Sequence, residues 1–314
     1  MRKAMIGRCW PVAVMVSFLL LSQTTYAKWH EDAVVLSAET ANNYLNGFRR
    51  SALEQILRQP MTQQPELSDI QASHPNSSWL TWTMVWLDRQ QQQPIAKLYE
   101  LLGATMPKLA RRYSGLTLEE LTNGRGALVV ARQAMYTSCG DNGYAPNLAA
   151  INVFAQAAGD DRDTSGRAVS LMLVSYLVIQ AHHPFNVLRY SSCARQPMEQ
   201  QLCLKEDAVS CKLSFEQALR SGHWPSLPDN LESYSLDIEL QTDAGFDLQT
   251  LASESVAQAR LLLNDAKGQR LDTLNSRLVE RLALAGQRIG YLLGAKRWFE
   301  QDERLGGKNG LDQQ

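Results

Sequence analysis

Helical periodicity constrains this chain more than any other feature. Leu271, Leu274, Leu278, Leu282, Ala285, Ile289 and Leu292 recur every three or four residues, so Leu271 to Leu293 reads as one long amphipathic helix. Val34, Val35, Ala38, Ala41 and Leu45 predict a helix near 31–46 in the same way. Leu53, Ile56 and Leu57 predict a second, stopping before Pro60 because proline restricts the residue ahead of it and lacks an N–H. Residues 60–78 read as a polar loop. Trp79, Trp82, Val85 and Trp86 share one helical face, for which core packing is favoured over stacking on bases. The glutamines 90–93 end that helix. Pro94 suits the first turn of the next, over 94–113 with a break between Gly103 and Pro107. Thr117 and Glu120 have the spacing of a capping box. Further helices are predicted over 128–136, 148–158, 165–181 and 248–263, with a polar turn from Gly159 to Thr164. Val169 to Ile179 is apolar but too short to span a bilayer, which marks a buried core helix. Residues 186–235 are irregular, and Leu236 to Gln241 alternates like a short strand. The expected fold class is mainly α: a single multi-helix domain with a long irregular loop region.

The first residues read as a secretory signal. Arg2, Lys3 and Arg8 precede an apolar run from Trp10 to Leu21, and Thr25-Tyr26-Ala27 offers small residues for cleavage after Ala27. The expected organisation is a signal peptide over 1–27, a single helical domain over 28–299 and a flexible tail over 300–314. Export implies a periplasmic or secreted protein. The whole chain has formal net charge −1, and losing the three leader cations makes it −4. Such a surface gives no global attraction to nucleic acid. Four cysteines remain, Cys139, Cys193, Cys203 and Cys211, and in an exported chain they read as two disulfides with three pairings open. None has Cys-x-x-Cys spacing, which argues against a structural zinc site. No second apolar stretch is long enough to span a membrane after the signal is removed.

Catalytic signatures are few. There is no phosphate loop, no Gly-x-Ser-x-Gly elbow and no His-Glu-x-x-His. His182-His183-Pro184 closes an apolar helix, but neighbouring histidines point to different sides of a helix, so a structural role is favoured. His223 lies between Gly222 and Trp224 in a loop, as a lone ligand or a surface residue.

Three stretches carry a family resemblance. Leu278-Val-Glu-Arg-Leu-Ala-Leu-Ala-Gly-Gln-Arg-Ile-Gly-Tyr-Leu-Leu-Gly294 resembles the last helix of the S1/P1-type zinc nucleases, matching at Val279, Glu280, Leu282, Ala285, Gly286 and Arg288. Leu251-Ala-Ser-Glu-Ser255 resembles that family's Trp-Ala-x-Glu-Ser. Tyr176-Leu-Val-Ile-Gln-Ala-His-His-Pro-Phe-Asn186 resembles its His-Phe-Val-Gly-Asp-x-His-Gln-Pro-Leu-His. Trp86-Leu87-Asp88 is similar to its Trp-Ala-Asp, and Trp29-His30 to its N-terminal Trp. The pieces keep the family's order over nearly the whole mature chain. The resemblance implies the fold of the zinc nuclease and phospholipase C superfamily, and a cleft lined by Trp29, Tyr176, Gln180, His182, His183 and Asn186.

The resemblance also implies three zinc ions held by histidines, aspartates and the free amine of the first Trp. Here the departures weigh most. Lys28 precedes Trp29, the ligand positions hold Tyr176, Gln180 and Asn186, and His182 matches a histidine that is not a ligand. Asp88 carries over as a metal ligand. His223 and Asp229 offer only an echo of a further motif in Gly222-His-Trp-Pro-Ser-Leu-Pro-Asp229. Zinc needs three or four nitrogen, sulfur or carboxylate ligands, and without it no activated hydroxide forms. The expectation is an exported, catalytically inactive S1/P1 nuclease-like protein that needs no cofactor and binds an envelope protein or ligand. One alternative is a divergent metal-dependent phosphodiesterase or nuclease using zinc. The other is an unrelated helical periplasmic accessory protein of secretion or conjugation.

Overall fold

The computed structural model describes residues 31–123, 146–160, 163–182 and 271–294, with the single positions Leu251, Glu254, Ala257, Gln258 and Leu261. These residues are mainly helical and include no strand. In chain order the helices are α1 (Glu31–Tyr44), α2 (Gly47–Met61), α3 (Leu67–Ser73), α4 (Trp79–Arg89) and α5 (Ile95–Leu101). A 3-10 turn (Lys108–Tyr113) follows, then α6 (Leu118–Asn123), α7 (Pro146–Asp160), α8 (Thr164–Ala181) and α9 (Leu271–Leu293).

Side-chain caps start several of these helices. The Asn46 side chain accepts from Arg49 N for α2, Ser78 from Thr81 N for α4, and Asp163 from Ser165 N and Gly166 N for α8. The capping box forms in full: Glu120 N donates to Thr117 Oγ1 at 3.0 Å, and Thr117 N to Glu120 Oε2 at 2.9 Å.

Helix α8 is the axis of the fold. Every residue from Gly166 to Ala181 is buried, so the helix presents no face to water. It packs against α2, α4, α7 and α9 and touches α1, α5 and α6. The apolar run Val169–Ile179 is thus the predicted core helix. No described helix is long and apolar enough to cross a membrane. Along α9, Leu278, Leu282, Ala285 and Ile289 of the predicted stripe are buried.

Three sequence expectations need correction. Helix α2 does not stop before Pro60 but runs through it to Met61. Pro60 sits in the last turn, where the ring deprives only Ile56 O of a partner. Burial of Pro60 and Met61 offsets that loss, and Thr62 N closes the helix on Arg58 O at 3.0 Å. The expected loop over 60–78 contains α3, whose Leu67 and Ile70 are buried and tie it to the core. Finally, α7 continues through Gly159 to Asp160, because one glycine in a helix interior costs only about 1 kcal/mol. The expected break after α5 falls at Gly103, which has φ of 63°. The predicted helix over 128–136, the irregular region over 186–235 and the strand over 236–241 lie outside the described residues. The described positions of the 248–263 segment are helical.

Helices α1 and α9 approach so closely that only glycine fits at their crossing. A Cβ on Gly286 would lie 2.5 Å from Ser37 O and 2.5 Å from Thr40 Cβ, and one on Gly290 would lie 2.7 Å from Tyr44 Cβ. The same proximity lets Ser37 Oγ donate to Leu282 O at 3.0 Å. Gly286→Ala is therefore expected to destabilise the fold by about 1–3 kcal/mol through overpacking. Gly47, with nothing within 4 Å of its Cβ position, serves as the control. Gly47→Ala should be neutral or slightly stabilising. Urea unfolding of the two variants checks this, and equal midpoints would refute the close crossing.

Candidate functional site

Asp88 lies one residue from the end of α4, and Tyr176 and Gln180 lie one turn apart on α8. The packing of α4 on α8 brings the three together, all buried. The Tyr176 hydroxyl donates to Asp88 Oδ1 at 2.8 Å. Gln91, just past the end of α4, donates its Nε2 to the same Asp88 oxygen at 2.6 Å and also reaches the Tyr176 hydroxyl. Gln180 lies beside the Tyr176 hydroxyl. Burial holds the Tyr176 pKa well above the ordinary phenol value, and the charge and hydrogen bond of Asp88 push it the same way. The phenol therefore stays protonated and acts as a donor to Asp88.

The start of α1 borders this cluster. Glu31 Oε1 accepts from His74 Nε2 at 3.0 Å, and Arg89, the residue after Asp88, donates to both Glu31 oxygens. Burial works to raise the Glu31 pKa. The hydrogen bonds from His74 and Arg89 outweigh it and leave the group lowered.

A second polar group lies at the end of α8. His182 is fully buried, with its Nδ1 donating to Val178 O at 2.7 Å. Its Nε2 accepts from Arg288 Nη1 at 2.9 Å, which assigns the proton to Nδ1. Arg288 Nη2 also donates to both oxygens of Glu254, at 2.9 and 2.7 Å. Arg281 donates from Nη1 to Glu254 Oε2 at 3.2 Å and from Nε to His182 O at 3.4 Å. Burial, then the charges of Arg281 and Arg288, hold His182 well below its ordinary pKa. Burial and Arg288 likewise bring Arg281 down to about 10. Both ring nitrogens of His182 are thus occupied, and the imidazole has no lone pair left for a metal.

The tryptophans of α4 pack rather than offer a stacking platform. Trp86 is fully buried in the core. Trp79 and Trp82 meet edge to face, with centroids 5.1 Å apart, and the Arg58 guanidinium covers the Trp79 ring at 5.7 Å.

Of the sequence-predicted site residues, the structure brings Asp88, Tyr176 and Gln180 together and puts His182 in the neighbouring hub. Trp29, His183, Asn186, His223, Asp229 and the cysteines Cys139, Cys193, Cys203 and Cys211 lie outside the described residues. Sequence reasoning missed Gln91 and the Glu31–His74–Arg89 contact. Nothing local distinguishes Gln91 within a run of four glutamines. Glu254 and Arg288 belong to the resembling stretches but carried no role until their contact was seen. Among the described residues, the side chains shown around Asp88 are one carboxyl group, a protonated phenol and two amides, which is a poor set for zinc. Among the described residues no three His, Cys, Asp or Glu side chains converge on one point.

No protein-family model matches this chain, and no curated protein matches it.

The hub makes stability depend on pH. The folded pKa of His182 lies below its unfolded value near 6.5, so below that pH the unfolded chain binds more protons. The contribution of His182 is fully present above about 6.5 and is lost as pH falls towards its folded pKa. The urea midpoint of the wild type is expected to drop between pH 7 and pH 5. His182→Gln, which still offers an acceptor to Arg288, should flatten that drop while lowering stability at pH 7. Parallel pH curves for the two proteins would rule out His182 as its source.

Proposed function

We propose that this chain is an exported, catalytically silent relative of the S1/P1-type zinc nucleases and phospholipases C, acting by binding a component of the cell envelope. One observation carries the reading. Asp88, Tyr176 and Gln180, read from the resemblance as metal-ligand positions, converge in a buried cluster whose donors suit hydrogen bonding rather than zinc. Convergence of these positions from two distant helices is what a shared fold requires. The side chains standing there remove the chemistry, because a zinc-bound hydroxide needs a set of three or more anionic or imidazole ligands.

Two further contacts support the same reading. The resembling stretches around Tyr176, Glu254 and Arg288 meet in one hub, although Glu254 and Arg288 are far from His182 in sequence. Glu31, two residues after Trp29 in sequence, touches Arg89 beside Asp88.

The mature protein, purified from the periplasm without chelator, is expected to carry far less than one equivalent of zinc. It should also hydrolyse neither single-stranded DNA nor bis-p-nitrophenyl phosphate. Metal analysis and both assays on one sample test this. Stoichiometric zinc with hydrolysis abolished by Asp88→Ala would replace the proposal with the working phosphodiesterase. A silent, zinc-free protein moves the search to envelope components captured by it.

A further inference from the structure

The 3-10 turn Lys108–Tyr113 packs one edge into the core and turns two edges to water. With three residues per turn, side chains three apart stack on the same edge. Ala110 and Tyr113 form the buried edge, and Tyr113 meets Phe154 of α7 with ring centroids 5.5 Å apart. Lys108 with Arg111, and Leu109 with Arg112, form the two exposed edges. The backbone holds the turn in this orientation at both ends. Ala110 N donates to Pro107 O at 2.9 Å, and Ala96 N of α5 donates to Ser114 O at 3.1 Å.

The charges on these edges are not neutralised by the fold. Among the described residues, the side chains of Lys108 and Arg111 make no ion pair and no hydrogen bond. The acidic residues nearest in sequence are engaged elsewhere. Glu100 pairs with Lys97 Nζ at 2.6 Å, Glu120 accepts from Thr117 N at 2.9 Å, and Glu119 is met by Gln92. The Arg112 guanidinium lies over the Tyr113 ring at 5.2 Å, a contact that supplies no opposing formal charge. The pair Arg49-Arg50 differs, because Arg50 donates to Asn42 O and Leu45 O at the end of α1. Leu109 stands among the three cations and is 39% exposed. Helix α5, which packs on the turn, ends in Leu101, itself 37% exposed.

We propose that this turn is a docking surface for a bilayer of anionic phospholipid, with Lys108, Arg111 and Arg112 meeting the headgroup phosphates and Leu109 entering the acyl boundary. The pairing of charge with an exposed leucine selects this partner. Nucleic acid or free phosphate would meet the cations and leave Leu109 in water, whereas a bilayer surface takes both. The proposal gives the envelope component proposed above a chemistry, and it rests on that reading for where protein and lipid meet. The whole chain has net charge −1, so no general attraction to an anionic surface competes with the local one. Each cation brought to such a surface strengthens binding by about fivefold, so the contact is reversible and weakens with salt.

Co-sedimentation of the purified protein with vesicles tests this. One set contains equal parts phosphatidylglycerol and phosphatidylcholine, the other phosphatidylcholine alone. Wild type is expected to prefer the anionic set, and added salt should erase the preference. Lys108→Gln with Arg111→Gln should weaken binding to the anionic set on the order of 25-fold. Lys108→Arg with Arg111→Lys should restore it. Leu109→Ser should weaken it several-fold, and Arg58→Gln, an exposed cation on α2, should leave it unchanged. These side chains are exposed, so urea midpoints should stay at the wild-type value. Equal binding to both vesicle sets, or a preference that survives the double glutamine variant, would overturn the proposal. So would a preference that Leu109→Ser leaves intact and single-stranded DNA or inorganic phosphate competes away, which assigns the turn to a soluble polyanion or phosphate. Stoichiometric zinc with hydrolysis would sink the silent-relative reading without moving the vesicle result, and absent vesicle binding would leave a zinc-free protein zinc-free.

Discussion

Total burial of α8 is the constraint from which the rest of the arrangement follows. A helix with no face to water must satisfy every polar side chain it carries from its neighbours, because an unmet buried donor or acceptor costs about 1–3 kcal/mol. Ser175 meets this need within the helix, donating to Leu171 O at 2.9 Å. Ser170, Tyr176 and His182 reach outward. Ser170 pairs with Tyr99 of α5, Tyr176 with Asp88 of α4, and His182 with Arg288 of α9. Each of these bonds fixes one surrounding helix in rotation and height against α8. The apolar residues drive the packing, and the polar ones select among the packings that would bury them.

The same constraint sets the chemistry of the two polar groups. Around Asp88, Tyr176 and Gln91 supply neutral donors to one carboxylate oxygen. Around His182 the balance is reversed. Two guanidiniums share the Glu254 carboxylate, and a third cation is excluded, so the imidazole is held neutral. Tyr176 and His182 are less than two turns apart on α8. This stretch is committed at both ends to holding helices together.

Legibility in the sequence followed the range of the interactions. Helices α1, α4, α8 and α9 and the Thr117–Glu120 box were readable because periodicity and capping are local. Helix α3 was missed because Leu67 and Ile70 give too short an apolar pattern between polar residues. Pro60 misled because the rule against proline applies to helix interiors and weakens in the last turn. At the site, no periodicity pointed to Asp88, Tyr176 or Gln180; only the family resemblance singled them out. The pairing of Glu31 with His74 and Arg89 joins residues 43 and 58 positions apart and had no local signature. Such contacts are decided by how helices stack, which single-sequence patterns do not encode.

Under the proposed relationship, loss of zinc ligands and survival of the helical frame are compatible for a physical reason. A metal site stabilises a fold by tying distant segments to one point, and its ligands need not be catalytic to do that. Here Tyr176 and Gln91 tie α4 to α8 through Asp88, while Arg281, Arg288 and Glu254 tie α9 to the end of α8. These bonds link the same distant stretches of chain that the resembling motifs come from. A protein whose ties are hydrogen bonds keeps its helices in register without bound metal. If the proposed function holds, that retained shape is what binding would use.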